Sequence, residues 1–100
     1  MEVVFLIGSV RFKDTFFEVE KKLTMKERKC VLLPYLDGFF NKEGYTEDEW
    51  EFLMEPGLKK IDMADTVFVV NVDGYIGTHT AREIEYARSK GKKIEYLYRE

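Results

Sequence analysis

Glu83 is the residue around which a chemical function can be built. It closes the segment Asp65-Thr-Val-Phe-Val-Val-Asn71-Val-Asp73-Gly-Tyr-Ile-Gly77-Thr78-His-Thr80-Ala-Arg-Glu83. That run reads as a buried strand, a glycine-containing loop and a helix whose first turn carries an acid. Open α/β sheets bind ligands in the crevice outside the carboxyl ends of their strands. A carboxylate at the start of the next helix points into such a crevice, where it can serve as a nucleophile. The same residues fit a second role: Thr80-Ala-Arg-Glu83 has the spacing of a capping box, in which Glu83 only accepts from the Thr80 backbone N–H.

A second loop carries polar groups of the right kind. Gly8-Ser9-Val10-Arg11 follows the apolar run Val3–Ile7. Arg11 can clamp a phosphate, because its planar fork matches two oxygens, or it can simply solvate a helix start. Ser9 is a ligand contact or a helix N-cap. Gly8, Ser9, Arg11, Asn71, Gly77, Thr78 and Thr80 are the expected binding residues. Asp73, in an Asp73-Gly74 turn signature, and Tyr75 or Tyr35 are the available assistants to Glu83. Tyr35, Phe39, Phe40 and Tyr45 suit a base-stacking wall, a subunit contact or a cover over the core. Glu85 lies on another helix face and is expected in solvent. His79 is the only histidine, so neither a metal cluster nor a Ser-His-Asp triad is expected in its usual form.

The elements that must position these groups alternate. Val3–Ile7 has the pattern of a strand buried on both faces. Phe12, Phe16, Val19 and Leu23 recur at helical spacing. Cys30–Leu33 is a second strand stopped by Pro34, with Cys30 a buried core thiol. Tyr35 to Tyr45 reads as a loop. Thr46-Glu-Asp-Glu49 is a capping box opening a helix that Pro56-Gly57 should break or kink, with Leu58–Met63 resuming it. Thr66–Val70, a helix over Thr80–Lys90 closed by Gly91, and a strand at Lys93–Leu97 follow. Asp65 is a turn or cap residue at a strand entry. Alternation of this kind gives parallel pairing through right-handed crossovers. The expected fold is an α/β three-layer sandwich, a four-stranded parallel sheet in the order 2-1-3-4 with helices on both faces. The single domain spans residues 1–100, and the Gly8 and Asn71 loops meet at the switch point between the first and third strands.

These motifs resemble a known superfamily. Gly8-Ser9-Val10-Arg11 is similar to the Gly-Ser-Ile-Arg loop of 2′-deoxynucleoside 5′-monophosphate N-glycosidases. Glu83-Ile-Glu-Tyr-Ala87 resembles the Glu-Leu-Gly-Tyr-Ala stretch of nucleoside 2-deoxyribosyltransferases. The resemblance implies a flavodoxin-like sheet and cleavage or exchange of the N-glycosidic bond of a deoxynucleoside, free or as its 5′-monophosphate. Glu83 would be the nucleophile, Ser9 and Arg11 would contact sugar or phosphate, and no cofactor would be needed. It also implies sites shared between subunits, hence a homodimer or higher homo-oligomer. Two positions depart from the pattern: Phe5 stands where the glycosidases carry a tyrosine, and Gly57 where they carry an aspartate. A non-catalytic nucleotide-binding or sensing module of the same fold is the competing expectation, and a structural subunit with a vestigial pocket is the third.

Composition narrows the partners. Sixteen basic against nineteen acidic residues give a formal charge of −3, without the basic bias that a nucleic-acid polymer demands. No apolar run approaches the ~20 residues of a membrane span. Val3–Ile7 follows Glu2 instead of a basic segment, so no leader peptide is expected. A lone cysteine and the absence of a membrane signal make a cytoplasmic protein with a small-molecule nucleoside or nucleotide ligand the default.

Overall fold

The computed structural model describes residues 1–99. Its centre is β1 (Val3–Gly8), in which Val4, Phe5, Leu6 and Ile7 are all buried. A strand with no polar face needs cover on both sides, and the chain supplies it. β1 pairs in parallel with β2 (Cys30–Leu32) and with β3 (Thr66–Val70), which pairs with β4 (Lys93–Tyr96). The order is β2-β1-β3-β4, all parallel, the doubly wound arrangement expected from the alternating pattern.

Successive residues of β1 face opposite layers. Phe5 and Ile7, with Val67 and Val69, pack against α4 (Met54–Met63) and α5 (Thr78–Ser89) through Ile61, Ile84 and Ala87. Val4, Leu6 and Val70 pack on the other face against α1 (Lys13–Met25) and α2 (Asp37–Phe40) through Phe16, Leu23 and Phe39. At about 25 cal/mol per Å² of apolar surface removed from water, these two layers are the main driving force of the fold. Asp65 ties the strand entries together: its carboxylate accepts from the Val3 N–H at 2.8 Å and its own N–H donates to the Val3 carbonyl at 2.8 Å. Thr66 donates its hydroxyl proton to Glu2 beside it.

Four local expectations are corrected. Cys30 is exposed, not a core thiol, because β2 is a three-residue edge strand with only half-buried neighbours. The Tyr35–Tyr45 stretch is not an open loop. It forms α2 and a 3-10 turn over Lys42–Gly44, and drives Phe39 into the core against Phe16, ring centroids 4.8 Å apart. The helix break falls at Leu53, between α3 (Glu47–Phe52) and α4, upstream of Pro56-Gly57. Pro56 takes the third position of α4, where the missing N–H has no helical partner to lose. Finally, α5 starts at Thr78, two residues earlier than expected, with Gly77 as N-cap.

The expected capping box at Thr46 forms, with Thr46 and Glu49 exchanging side-chain and backbone bonds. Gly91, at φ +69°, closes α5: Gly91 N–H bonds the Arg88 carbonyl and Lys92 N–H the Ala87 carbonyl, a Schellman closure. Among the described residues no helix is long and apolar enough to cross a membrane.

Candidate functional site

The early start of α5 changes what Glu83 can do. Counted from Thr78, Glu83 lies in the second turn, and the first turn holds no acid. Thr80 is helical and buried, so it is not an N-cap, and no capping box with Glu83 forms. The carboxylate lies instead against α4. A Cβ built on Gly57 would stand 2.7 Å from Glu83 Oε2, so only a residue without a side chain admits the carboxylate in this position. Burial alone drives the Glu83 pKa from 4.5 to about 7, with no ion pair or hydrogen bond opposing it. This is the reverse of the ionised state that a first-turn position would favour. Since no buried side-chain oxygen among the described residues is left unbonded, the carboxylate is open to the space beside it.

That space is a cavity of about 690 Å³ at the carboxyl edge of the sheet, the size of a small-molecule site. Gly8, Ser9 and Val10 border it from the first loop, and Gly77, Thr78, His79 and Thr80 border it from the start of α5. Gly8 is required there. At φ +151° its missing Cβ would lie 2.7 Å from the Val70 carbonyl and 3.2 Å from the Phe16 ring. Ser9 caps the 3-10 turn Val10–Phe12, its hydroxyl accepting from Arg11 N–H at 3.2 Å.

Six of the expected site residues therefore meet: Gly8, Ser9, Gly77, Thr78, Thr80 and Glu83. Three do not line the cavity. Arg11 lays its guanidinium over the Tyr75 ring, 4.1 Å from the centroid, so the expected phosphate clamp is turned to an aromatic face. Asn71 is buried and holds the backbone of Tyr98, donating to its carbonyl at 3.2 Å and accepting its N–H at 2.9 Å. Asp73 sits at φ +54° in an exposed turn, which Asp tolerates better than most residues. Of the other assistants, Tyr35 and Tyr75 line the cavity.

The far wall was only half legible. Tyr35 and Tyr45 belong to it, but so do Trp50, Leu53, Met54 and Pro56. Tyr35, Tyr45 and Trp50 stack edge to face, with centroids 5.7 and 5.4 Å apart. The Tyr45 hydroxyl donates to Asp37, whose carboxylate holds the phenol proton in place and raises its pKa. Phe39 serves the core, and Phe40 is exposed beside Phe17. Trp50 reads in the sequence as an interior helix residue. Trp50 lines the cavity from α3, which the break at Leu53 separates from α4. Glu51 binds Arg82 through two bonds of 2.8 and 3.0 Å and His79 at 3.3 Å, fixing α3 to the start of α5. Lys60, half-buried, also lines the cavity, and no sequence signal marked it.

No protein-family model matches the chain, and no curated protein matches it. The site offers a desolvated carboxylate, an aromatic wall and two backbone loops. Among the described residues no group of three or more His, Cys, Asp or Glu side chains is placed to hold a metal ion.

Proposed function

We propose that the cavity binds a deoxynucleoside and that Glu83 cleaves or exchanges its N-glycosidic bond. The observation that carries this reading is Glu83 itself, a carboxylate with no protein partner facing an aromatic-walled cavity. A structural glutamate at the same depth would be paired or capped, since an unpaired buried charge is costly. The Tyr35, Tyr45 and Trp50 wall suits a planar base, and the Gly8–Ser9 loop suits a sugar. Arg11 faces Tyr75, which favours a nucleoside over its 5′-monophosphate.

In this mechanism the ionised fraction of Glu83 attacks the anomeric carbon. Base departs, and water hydrolyses the glycosyl ester or a second base takes its place. Because the pKa lies near 7, a substantial share of the protein is ionised at neutral pH. The experiment is direct: incubate wild type and Glu83→Gln with deoxynucleosides and resolve free base by chromatography. Release by wild type and none by Glu83→Gln supports the reading, and equal release by both refutes it.

The second reading, a nucleotide-binding module without turnover, is favoured by Phe5 and Gly57, neither of which can pass a proton to a leaving base. Ligand-dependent thermal stabilisation without base release would select it. Both readings include a homodimer or higher oligomer, supported by the exposed Tyr75, Ile76, Leu97 and Tyr98. Light scattering tests that state.

A further inference from the structure

Two lysines line the cavity; Lys42 is exposed, whereas Lys60 is half-buried and keeps donors that are not used up. Lys60 follows Gly57 by three residues on α4, so both lie on one helix face, about 4.5 Å apart along the axis. Gly57 receives the Glu83 carboxylate. The Lys60 ammonium donates to the Leu33 carbonyl at 2.8 Å, at the carboxyl end of β2. Tyr35, two residues beyond Leu33, belongs to the aromatic wall. Lys60 therefore stands on the aromatic side of the site.

An ammonium has three N–H donors and no acceptor. One is spent on Leu33, and no carboxylate pairs with Lys60 among the described residues. Partial burial disfavours its charged form and lowers its pKa, so an acceptor placed against it gains more than it would in water. Phe5 and Gly57 offer no polar side chain, the Tyr35 and Tyr45 hydroxyls bond each other, and Lys42 is exposed, which makes Lys60 the half-buried donor on this side.

We infer that Lys60 is the donor that receives the leaving base of the reaction proposed above, and that it selects a base carrying a carbonyl oxygen over one carrying an amino group there. This inference rests on the glycosidic reading for its chemistry, but its recognition half stands apart. In the step, the C1′–N bond breaks and its electron pair leaves with the base, while a C1′–O bond forms to Glu83. The negative charge spreads onto the carbonyl oxygen of the base, where the Lys60 ammonium holds it. Water then hydrolyses the glycosyl ester, restoring the Glu83 carboxylate and releasing the proton that neutralises the base.

The test uses hypoxanthine and adenine, which differ as carbonyl against amino group at C6, with the adjoining N1 a donor in the first and an acceptor in the second. Their deoxynucleosides serve as substrates, and loss of the preference in the Lys60 variant assigns it to the carbonyl contact. Calorimetry on wild type should give hypoxanthine about tenfold tighter binding than adenine, the scale of one good hydrogen bond to a charged group. Lys60→Met should erase that ratio and Lys60→Arg should keep part of it. Lys60→Met should also lower kcat for 2′-deoxyinosine by roughly 100-fold, with a much smaller change in KM. A urea midpoint equal to wild type qualifies the Met variant, and Lys60→Gln replaces it if it does not fold. The inference is overturned if wild type binds neither base, binds both equally, or keeps its preference in Lys60→Met. If instead wild type releases no base yet the Lys60-dependent preference is present, the glycosidic reading fails and the base-recognition role of Lys60 stands.

Discussion

Replacing Glu83 with Gln should remove a specific pH dependence of stability. The folded chain holds the Glu83 proton with a pKa of about 7, against 4.5 for the ordinary carboxyl. Below 4.5 the group is neutral in both folded and unfolded chains and costs nothing. Between the two values the unfolded chain binds fewer protons than the folded one, so stability falls as pH rises. At about 1.36 kcal/mol per pH unit, full ionisation costs the fold roughly 3 kcal/mol. Between pH 5 and pH 8 the loss is about 2 kcal/mol, after allowing for the part of the carboxyl that still meets the cavity. Glu2 and Glu51, whose pKa values are lowered by Thr66 and Arg82, act in the opposite sense, losing stability as pH falls. They are common to both proteins and cancel in the difference. Urea unfolding of wild type and Glu83→Gln across this range should give curves that diverge by that amount, with Gln the less pH-sensitive. A difference that stays constant to within about 0.5 kcal/mol would refute the desolvated, unpaired carboxylate.

Three further substitutions probe the site. Gly57→Ala puts a methyl group 2.7 Å from Glu83 Oε2. The urea midpoint should hold or rise, because Ala is favoured in a helix by about 1 kcal/mol, while base release falls about tenfold or more as the carboxylate is displaced; unchanged release would separate Gly57 from the site. Gly8→Ala, strained at φ +151° and 2.7 Å from the Val70 carbonyl, should cost roughly 1–3 kcal/mol in urea unfolding, and an unaltered midpoint would contradict the tight β1 exit. Asp73→Asn should leave base release within about twofold of wild type, as for an exposed turn residue away from the chemistry, and a loss of about tenfold would return Asp73 to the mechanism.

The strand order was legible because Val3–Ile7 and Thr66–Val70 are apolar on both faces and each is followed by a helical period. Such strands have to lie centrally and in parallel. β2 was overread for the same reason: Cys30-Val-Leu-Leu33 is apolar, but an edge position exposes Cys30 regardless of its own preference. Gly8 and Gly91 were legible as the ends of a strand and a helix, and both have positive φ. The site was half legible. Loops at the ends of β1 and β3 were found because topology dictates where they meet. The third wall depends on the two-residue shift of the α5 start and on the helix break at Leu53. Neither follows from the capping and breaker spacings that the sequence offers at Thr80 and at Pro56-Gly57. Arg11 and Asp73 have the right residue types, yet a cation–π contact and a left-handed turn hold them elsewhere.

The central claim is that Glu83 is a nucleophile, and a trapped intermediate tests it most directly. Wild type mixed with 2′-deoxyinosine, quenched in acid and mapped by mass spectrometry should carry a 2-deoxyribosyl ester on the peptide containing Glu83, with hypoxanthine released in parallel. Glu83→Gln should show neither. Hypoxanthine release that persists in Glu83→Gln, or wild type that forms neither the adduct nor free base, would contradict the account.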